Sequence, residues 1–234
     1  MAQALRHPNM RILALDTSTE YCSTALWTDA GLIERDVHAG QCHSELLLGM
    51  IDEVLRAAGV PLEALDGIAY GEGPGSFTGL RIACGVTQGL AFAAGLPVAG
   101  VSTLLALAQG TDADRVVCCM DARMNQVYHA AYRRATGGWA VVQPPALDSP
   151  SDVPLPAEDG WVGCGSGFAA YGPQLEARYG SRLARVLSER YPRARDIAQL
   201  AAAQFEAGKG LPADAAAPCY IRDKVALRTD ERAS

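Results

Sequence analysis

Apolar and polar positions along this 234-residue chain switch between two rhythms. Residues 12–15 are a short apolar run closed by Asp16. A polar turn follows, then an alternating run over 21–27 and another over 31–38. This pattern predicts three strands joined by short turns, and therefore antiparallel pairing among them. From residue 46 the rhythm changes. Leu46, Leu47, Met50, Ile51, Val54 and Leu55 recur at i, i+1, i+4, i+5, i+8 and i+9, a continuous stripe at helical period. Gly59 ends that helix, and Pro61 opens a short helical turn. Residues 67–71 predict a buried strand. Residues 76–94 predict a second helix, capped by Ser76 and built from small and apolar residues. Gly95-Leu96-Pro97 stops it before a short strand over Val98–Val101.

The chain then repeats itself. "RILALDTSTEYCSTALW" (11–27) and "VVCCMDARMNQVYHAAY" (116–132) share a strand ending in aspartate, a polar turn and a second strand. At an offset of 105 residues, Asp121 takes the place of Asp16, Ala130 of Ala25, and Tyr132 of Trp27. A third strand follows over 138–143. Two β-β-β-α-β-α-β units predict an α/β fold with a sheet in each lobe and a cleft between. The expected division is a flexible extension over 1–10, with Met10 an alternative start, a first lobe over 11–110, and a second over 111–234. The second lobe reads as degenerate. It has a Pro-rich loop over 143–160, helices near 167–178 and 196–207, and an irregular tail.

Composition narrows the function classes. The net charge of −6 argues against a general nucleic-acid binder, and the acidity sits in the first half: residues 1–115 hold 6 basic and 13 acidic residues. Seven cysteines, an odd number without C-x-x-C spacing, suggest reduced thiols of a cytoplasmic protein rather than a disulfide framework. Residues 82–111 carry no charge, but five glycines and prolines divide them, so a membrane span is not expected. His7, His38, His43 and His129 are dispersed and fit surface or capping roles better than metal ligation. Ser18, Ser76 and Ser166 have no certifiable histidine and acid partners, and "CGSGF" (164–168) departs from the nucleophile-elbow pattern.

The most distinctive stretch is "GEGPGSFTG" (71–79). It lacks the Gly-Lys-[Ser/Thr] ending of a P-loop and the G-x-G-x-x-G spacing of a dinucleotide turn. Two uses remain: an anion site at the N-terminus of the following helix, or a turn that lets another backbone approach closely.

Together with "LALDTSTEYCSTAL", "HSELLLGMIDEVL", "DARMNQVY" and "YIRDKVA" (220–226), that stretch resembles the TsaB family, formerly YeaZ, from about Arg11 to about Ala226. The resemblance implies the duplicated actin-like ATPase, Hsp70 and sugar-kinase superfold, which is ribonuclease H-like. It implies a non-catalytic, dimerising subunit for threonylcarbamoyladenosine formation at position 37 of tRNAs reading ANN codons. TsaD would be its direct partner and the ATPase TsaE a third subunit. The chain would be a homodimer when alone and would touch tRNA only indirectly. TsaD enzymes carry two metal-binding histidines at i and i+4 on the helix after the "G-V" strand. Here those positions are Thr103 and Leu107, so no metal site and no catalytic residue are expected.

In the superfold the first-lobe turn commonly meets nucleotide phosphates. Asp16, Thr17, Ser18, Gly73, Gly75, Ser76 and Arg123 are therefore candidates for a weak ATP or ADP contact in the complex, with no intrinsic cofactor. Arg123 could draw an anion or pair with Asp16 across the cleft. The expected partner surface is the first-lobe helix pair, marked by Leu46, Leu47, Met50, Ile51, Val54, Leu80, Cys84, Thr87 and Ala91. Charge at Leu47 or Ala91 would then break binding. The alternative reading of these stripes is packing on the monomer's own sheet. Rival functions are a stand-alone ATPase, a glycoprotease-like hydrolase, and a tRNA-binding module using Arg178, Arg182, Arg185, Arg190, Arg193 and Arg195.

Overall fold

The computed structural model describes residues 10–222. Residues 1–9, which hold His7 and nearly all of the expected extension, lie outside them, as do the last four residues of the 220–226 motif.

The first sheet contains β1 (Ile12–Asp16), β2 (Tyr21–Thr28), β3 (Gly31–His38), β4 (Gly67–Gly73) and β5 (Val98–Ser102) in the order β3-β2-β1-β4-β5. The second contains β6 (Arg115–Asp121), β7 (Val127–Ala135), β8 (Gly138–Asp148), β9 (Trp161–Cys164) and β10 (Leu183–Leu187) in the order β10-β9-β6-β7-β8. In each sheet the first three strands pair antiparallel and the last two join in parallel. The short turns dictate the first arrangement and intervening helices the second. This is the duplicated, two-lobe actin-like fold.

Helices α1 (His43–Ala58) and α2 (Phe77–Ala94) cover one face of the first sheet. Ser76 caps α2 as its sequence suggests, its Oγ accepting from the Gly79 amide at 3.3 Å. Helix α4 (Ser166–Tyr179) covers the matching face of the second sheet through Phe168, Leu175 and Tyr179.

The other faces are covered crosswise. Helix α3 (Thr103–Gln109), from the first half of the chain, packs Leu104, Leu107 and Ala108 on the second sheet. Helix α5 (Ala194–Glu206), from the second half, packs Ile197, Ala198, Ala201 and Ala202 on Ile12, Ala14, Ala25 and Ala69 of the first. Alanine on both sides lets the helix sit close to the strands. The two helices also meet each other, Gln109 Nε2 donating to Gln199 Oε1 at 2.9 Å.

Three expectations need correction. The second sheet is as complete as the first: β9 has only four residues and β10 carries Arg185, so neither shows a clear apolar rhythm. Only the helix after β8 is replaced by an irregular segment. The Pro-rich loop is also shorter, because β8 runs to Asp148. Pro144 and Pro145 lie where the pairing with β7 slips between His129 and Ala131, on an edge strand, where proline costs little. Finally, Asp121 is not the counterpart of Asp16. Ala25 faces Ala14 and Ala130 faces Cys118, so Met120, which faces Tyr128, matches Asp16, which faces Ser23. The β6–β7 connection, from Met120 to Tyr128, is one residue longer than the one from Asp16 to Ser23, and that one-residue offset puts Asp121 on the opposite face of its sheet.

The crosswise cover has a measurable consequence. A chain ending before residue 190 keeps all ten strands and loses α5. It is expected to lose the cooperative heat-absorption peak of the full protein in calorimetry. A peak of comparable sharpness would show α5 to be dispensable.

Candidate functional site

The candidate residues of the first lobe come together, but in a sealed arrangement. The turn after β1 presses directly on the glycine loop before α2. The Ser76 amide donates to Ser18 O at 2.7 Å, and Thr17 Oγ1 donates to Gly79 O at 2.6 Å. A Cβ on Gly75 would stand 2.5 Å from Ser18 O, and one on Gly79 would overlap Thr17 O. Thr103, at the start of α3, closes the same spot by donating its Oγ1 to Pro74 O. Glycine is required here by close approach. Asp16 and Thr17 are fully inaccessible and Ser18 nearly so.

Asp16 lies at the centre. Its Oδ1 accepts from the Ser18 amide at 3.1 Å and from Ser18 Oγ at 2.9 Å. Its Oδ2 is buried without a partner, against Gly71. Burial pushes the Asp16 carboxyl up to about 7 against the two Ser18 hydrogen bonds, with the Asp36 charge adding to the rise. Asp196, on α5, is likewise raised to about 7 by burial; Arg195 and Arg193 pull it down, and Glu34 and Asp36 push it up.

Arg123 does not join this cluster. Its Nη1 pairs with Asp121 Oδ2 at 3.0 Å, its amide donates to Asp121 Oδ1, and its side chain is 87% exposed. Tyr171 Oη also donates to Asp121 Oδ1. The expected Asp16–Arg123 pair is thus absent because Asp121 already holds the cation. The nucleotide reading of Asp16, Thr17, Ser18, Gly73, Gly75 and Ser76 does not fit this geometry: backbone fills the space between turn and loop, and the acid faces inward.

The tail leading into the terminal motif completes the seal. The Cys219 amide donates to Glu72 O at 2.6 Å, and a Cβ on Gly73 would stand 2.5 Å from Cys219 O. Tyr70 Oη donates to Ala217 O and accepts from its amide. Arg222 then crosses to the second lobe, donating to Ala122 O and Gln126 Oε1, both at 2.9 Å. A cavity of about 40 Å³ remains between loop and tail, room for a water but not a nucleotide. A larger cavity of about 730 Å³ lies at the far end of the second sheet beside Arg115, Arg133 and Arg134. Glu158 pairs with two of those arginines, and Arg134 stacks on Trp139.

The partner-surface residues require the sharpest correction. Leu47, Met50, Ile51, Val54, Leu80, Cys84, Thr87 and Ala91 are all buried within the monomer, and Leu46 packs on the same core. Leu47 and Ala91 are fully inaccessible, so charge there would attack the core. The outer face of the same helices carries other residues. Leu48 is 55% exposed and Phe92 83%, with Gly49, Gly85 and Gly89 between, each opening on empty space. Phe92 was the missed signal: an aromatic outside the α2 apolar stripe.

The remaining candidates serve the fold. His43 contacts Thr19 O through Nε2, and His38 meets Tyr21 edge-on. His129 is core rather than surface, its Nε2 2.7 Å from Asp148. Arg178 and Arg182 donate to Val153 O and Pro156 O, pinning the irregular segment. Arg185 pairs with Asp112, Arg193 with Asp36 and Arg195 with Glu34, so the arginines do not share one solvent face. Among the described residues no group of three His, Cys, Asp or Glu side chains could hold a metal, and no helix is long and apolar enough to cross a membrane.

The family profile for "TsaD: tRNA N6-adenosine threonylcarbamoyltransferase" matches residues 37–226. The Escherichia coli "tRNA threonylcarbamoyladenosine biosynthesis protein TsaB" is 40% identical over 94% of this chain and 97% of its own length. The Haemophilus influenzae protein of the same name is 36% identical, over 93% and 95%. The structure of YeaZ from Pseudomonas aeruginosa superposes with a TM-score of 0.84 at 38% identity, covering 90% of this chain and 99% of that one.

Two outcomes follow from the site. Gly79→Ala is expected to destabilise by several kcal/mol, because its Cβ meets backbone. Gly85→Ala, in open space on the same helix, is expected to stabilise the monomer by roughly 0.5–1 kcal/mol. Urea unfolding of both variants checks the contrast. Separately, a carboxyl raised from 3.8 to about 7 contributes stability that is complete at acidic pH and lost as pH rises to about 7. Asp16→Asn is expected to flatten the fall in melting temperature between pH 5 and pH 8. An unchanged slope would mean that Asp16 does not titrate there.

Proposed function

Because the chain belongs to the TsaB family, we propose that it works in tRNA threonylcarbamoyladenosine biosynthesis as a dimerising subunit, without chemistry of its own. Its direct partner is TsaD. TsaE joins the complex as a third subunit, tRNA is contacted indirectly, and the chain alone forms a homodimer. The observation that carries this reading is the outer face of α1 and α2. A glycine inside a helix costs roughly 0.5–1 kcal/mol relative to alanine. Packing within the monomer gives no return for Gly85 and Gly89, since nothing lies within 4 Å of either missing Cβ. A second helix pair laid across them does, because small residues let helix axes approach closely. Leu48 and Phe92 are exposed apolar side chains on the same two helices, and aromatic residues such as Phe92 are enriched in interfaces.

Two further placements favour a scaffold over an enzyme. Thr103 and Leu107 stand where TsaD enzymes carry their metal histidines. Here Thr103 hydrogen-bonds Pro74 O and Leu107 is buried in the second-sheet core. In the second lobe the counterpart of Asp16 is Met120, which is buried and apolar. A stand-alone ATPase of this superfold needs an acid from both lobes. The arginines held by the chain's own carbonyls and carboxylates support an indirect role toward tRNA.

Phe92→Asp and Gly85→Leu are expected to leave the melting temperature of the monomer nearly unchanged and to weaken capture of the same organism's TsaD by tenfold or more. Differential scanning calorimetry measures the first and titration calorimetry the second, with size-exclusion chromatography to report association state. Variants that stay folded and bind TsaD with unaltered affinity would move the partner surface elsewhere.

A further inference from the structure

Resting on that partner reading, we propose that the Phe77–Arg81–Tyr220 cluster is the polar end of the α2 face and receives a carboxylate from the partner subunit. Phe77, Arg81, Gly85, Gly89 and Phe92 follow one another at three- or four-residue steps along α2, and all five are exposed. They form one stripe, with glycines in the middle and an aromatic at each end. At the Phe77 end the surface is elaborately built. The Arg81 guanidinium lies 3.9 Å from the Phe77 ring centroid, and its Nε donates to Tyr220 Oη at 3.0 Å. The Phe77 and Tyr220 rings meet at 5.4 Å. Tyr220 belongs to the tail, which the Cys219 amide and the two Tyr70–Ala217 hydrogen bonds fix in place.

What this arrangement leaves free is the point. Among the described residues Arg81 forms no ion pair, and its one side-chain hydrogen bond uses Nε. Its Nη nitrogens are held on an aromatic plate with no acceptor among the described residues. An arginine ordered in advance loses little rotamer freedom on binding, and its planar fork matches a carboxylate. Charge favours a protein acid over an RNA phosphate. The first half of the chain holds 13 acidic against 6 basic residues, and that excess repels a polyanion. The adjoining stripe is glycine and phenylalanine, suited to a helix rather than a phosphate backbone. The tail thereby becomes part of the partner surface, and Arg222 links that surface to the second lobe.

The test is titration calorimetry of the full-length chain with the same organism's TsaD at two salt concentrations, with sedimentation and melting as fold controls. Arg81→Ala is expected to weaken binding about tenfold, in line with the loss of one charge-assisted hydrogen-bonded pair. It is also expected to reduce the salt dependence of the affinity. Arg81→Gln keeps the stem over Phe77 and should behave like Arg81→Ala. Tyr220→Phe should weaken binding less. Wild type that fails to bind TsaD overturns the partner reading itself. Wild type that binds while both Arg81 variants bind with equal affinity and equal salt dependence overturns this inference alone. Loss of retention on total tRNA with TsaD affinity intact overturns it in favour of an RNA contact.

Discussion

Backbone meets backbone where the turn after β1 rests on the loop before α2, and much of the molecule is arranged around that contact. Thr17 O and Ser18 O lie so close to Gly79 and Gly75 that no side chain fits between. The contact sets the angle at which α2 leaves the sheet. It seals Asp16 inside, which keeps that carboxyl protonated to near neutral pH. It also gives the tail a shaped seat beside Gly73. The outer stripe of α2 is a consequence: once the inner face is committed to the sheet, Phe77, Arg81, Gly85, Gly89 and Phe92 have only the outside left.

The same contact explains why two segments distant in sequence are both distinctive. The glycine loop and the tail touch at Gly73 and Cys219, just before the Tyr-x-Arg, and again at Phe77 and Tyr220 within it. Neither could change freely without the other. A loop that reads like a phosphate cradle is here a joint between chain segments.

Element types were mostly legible in the sequence, because long periodic runs such as 46–55 admit one reading. What those runs could not say was what they faced. A stripe at helical period marks a buried side, and burial by the monomer's own sheet produces the same stripe as burial by a partner. Glycines gave the same ambiguity: Gly79 and Gly85 sit six residues apart on one helix, one forced by a carbonyl and the other facing nothing. The Asp16–Asp121 equivalence failed for another reason. Sequence repeats count residues, whereas a hairpin counts hydrogen-bonded pairs, and one extra turn residue in the second hairpin separates the two counts. Strands β9 and β10 were too short, and β10 too charged, to stand out beside the prolines before them.

The crossed helices carry a historical implication. Each half of the chain supplies a sheet and a final helix, and each final helix covers the other half's sheet. An ancestral half, before duplication, would have had one bare sheet face if it stood alone. Two copies exchanging their last helices would have covered both. The fused chain has the contacts of such an exchanged pair, with each half completed by the other's last helix.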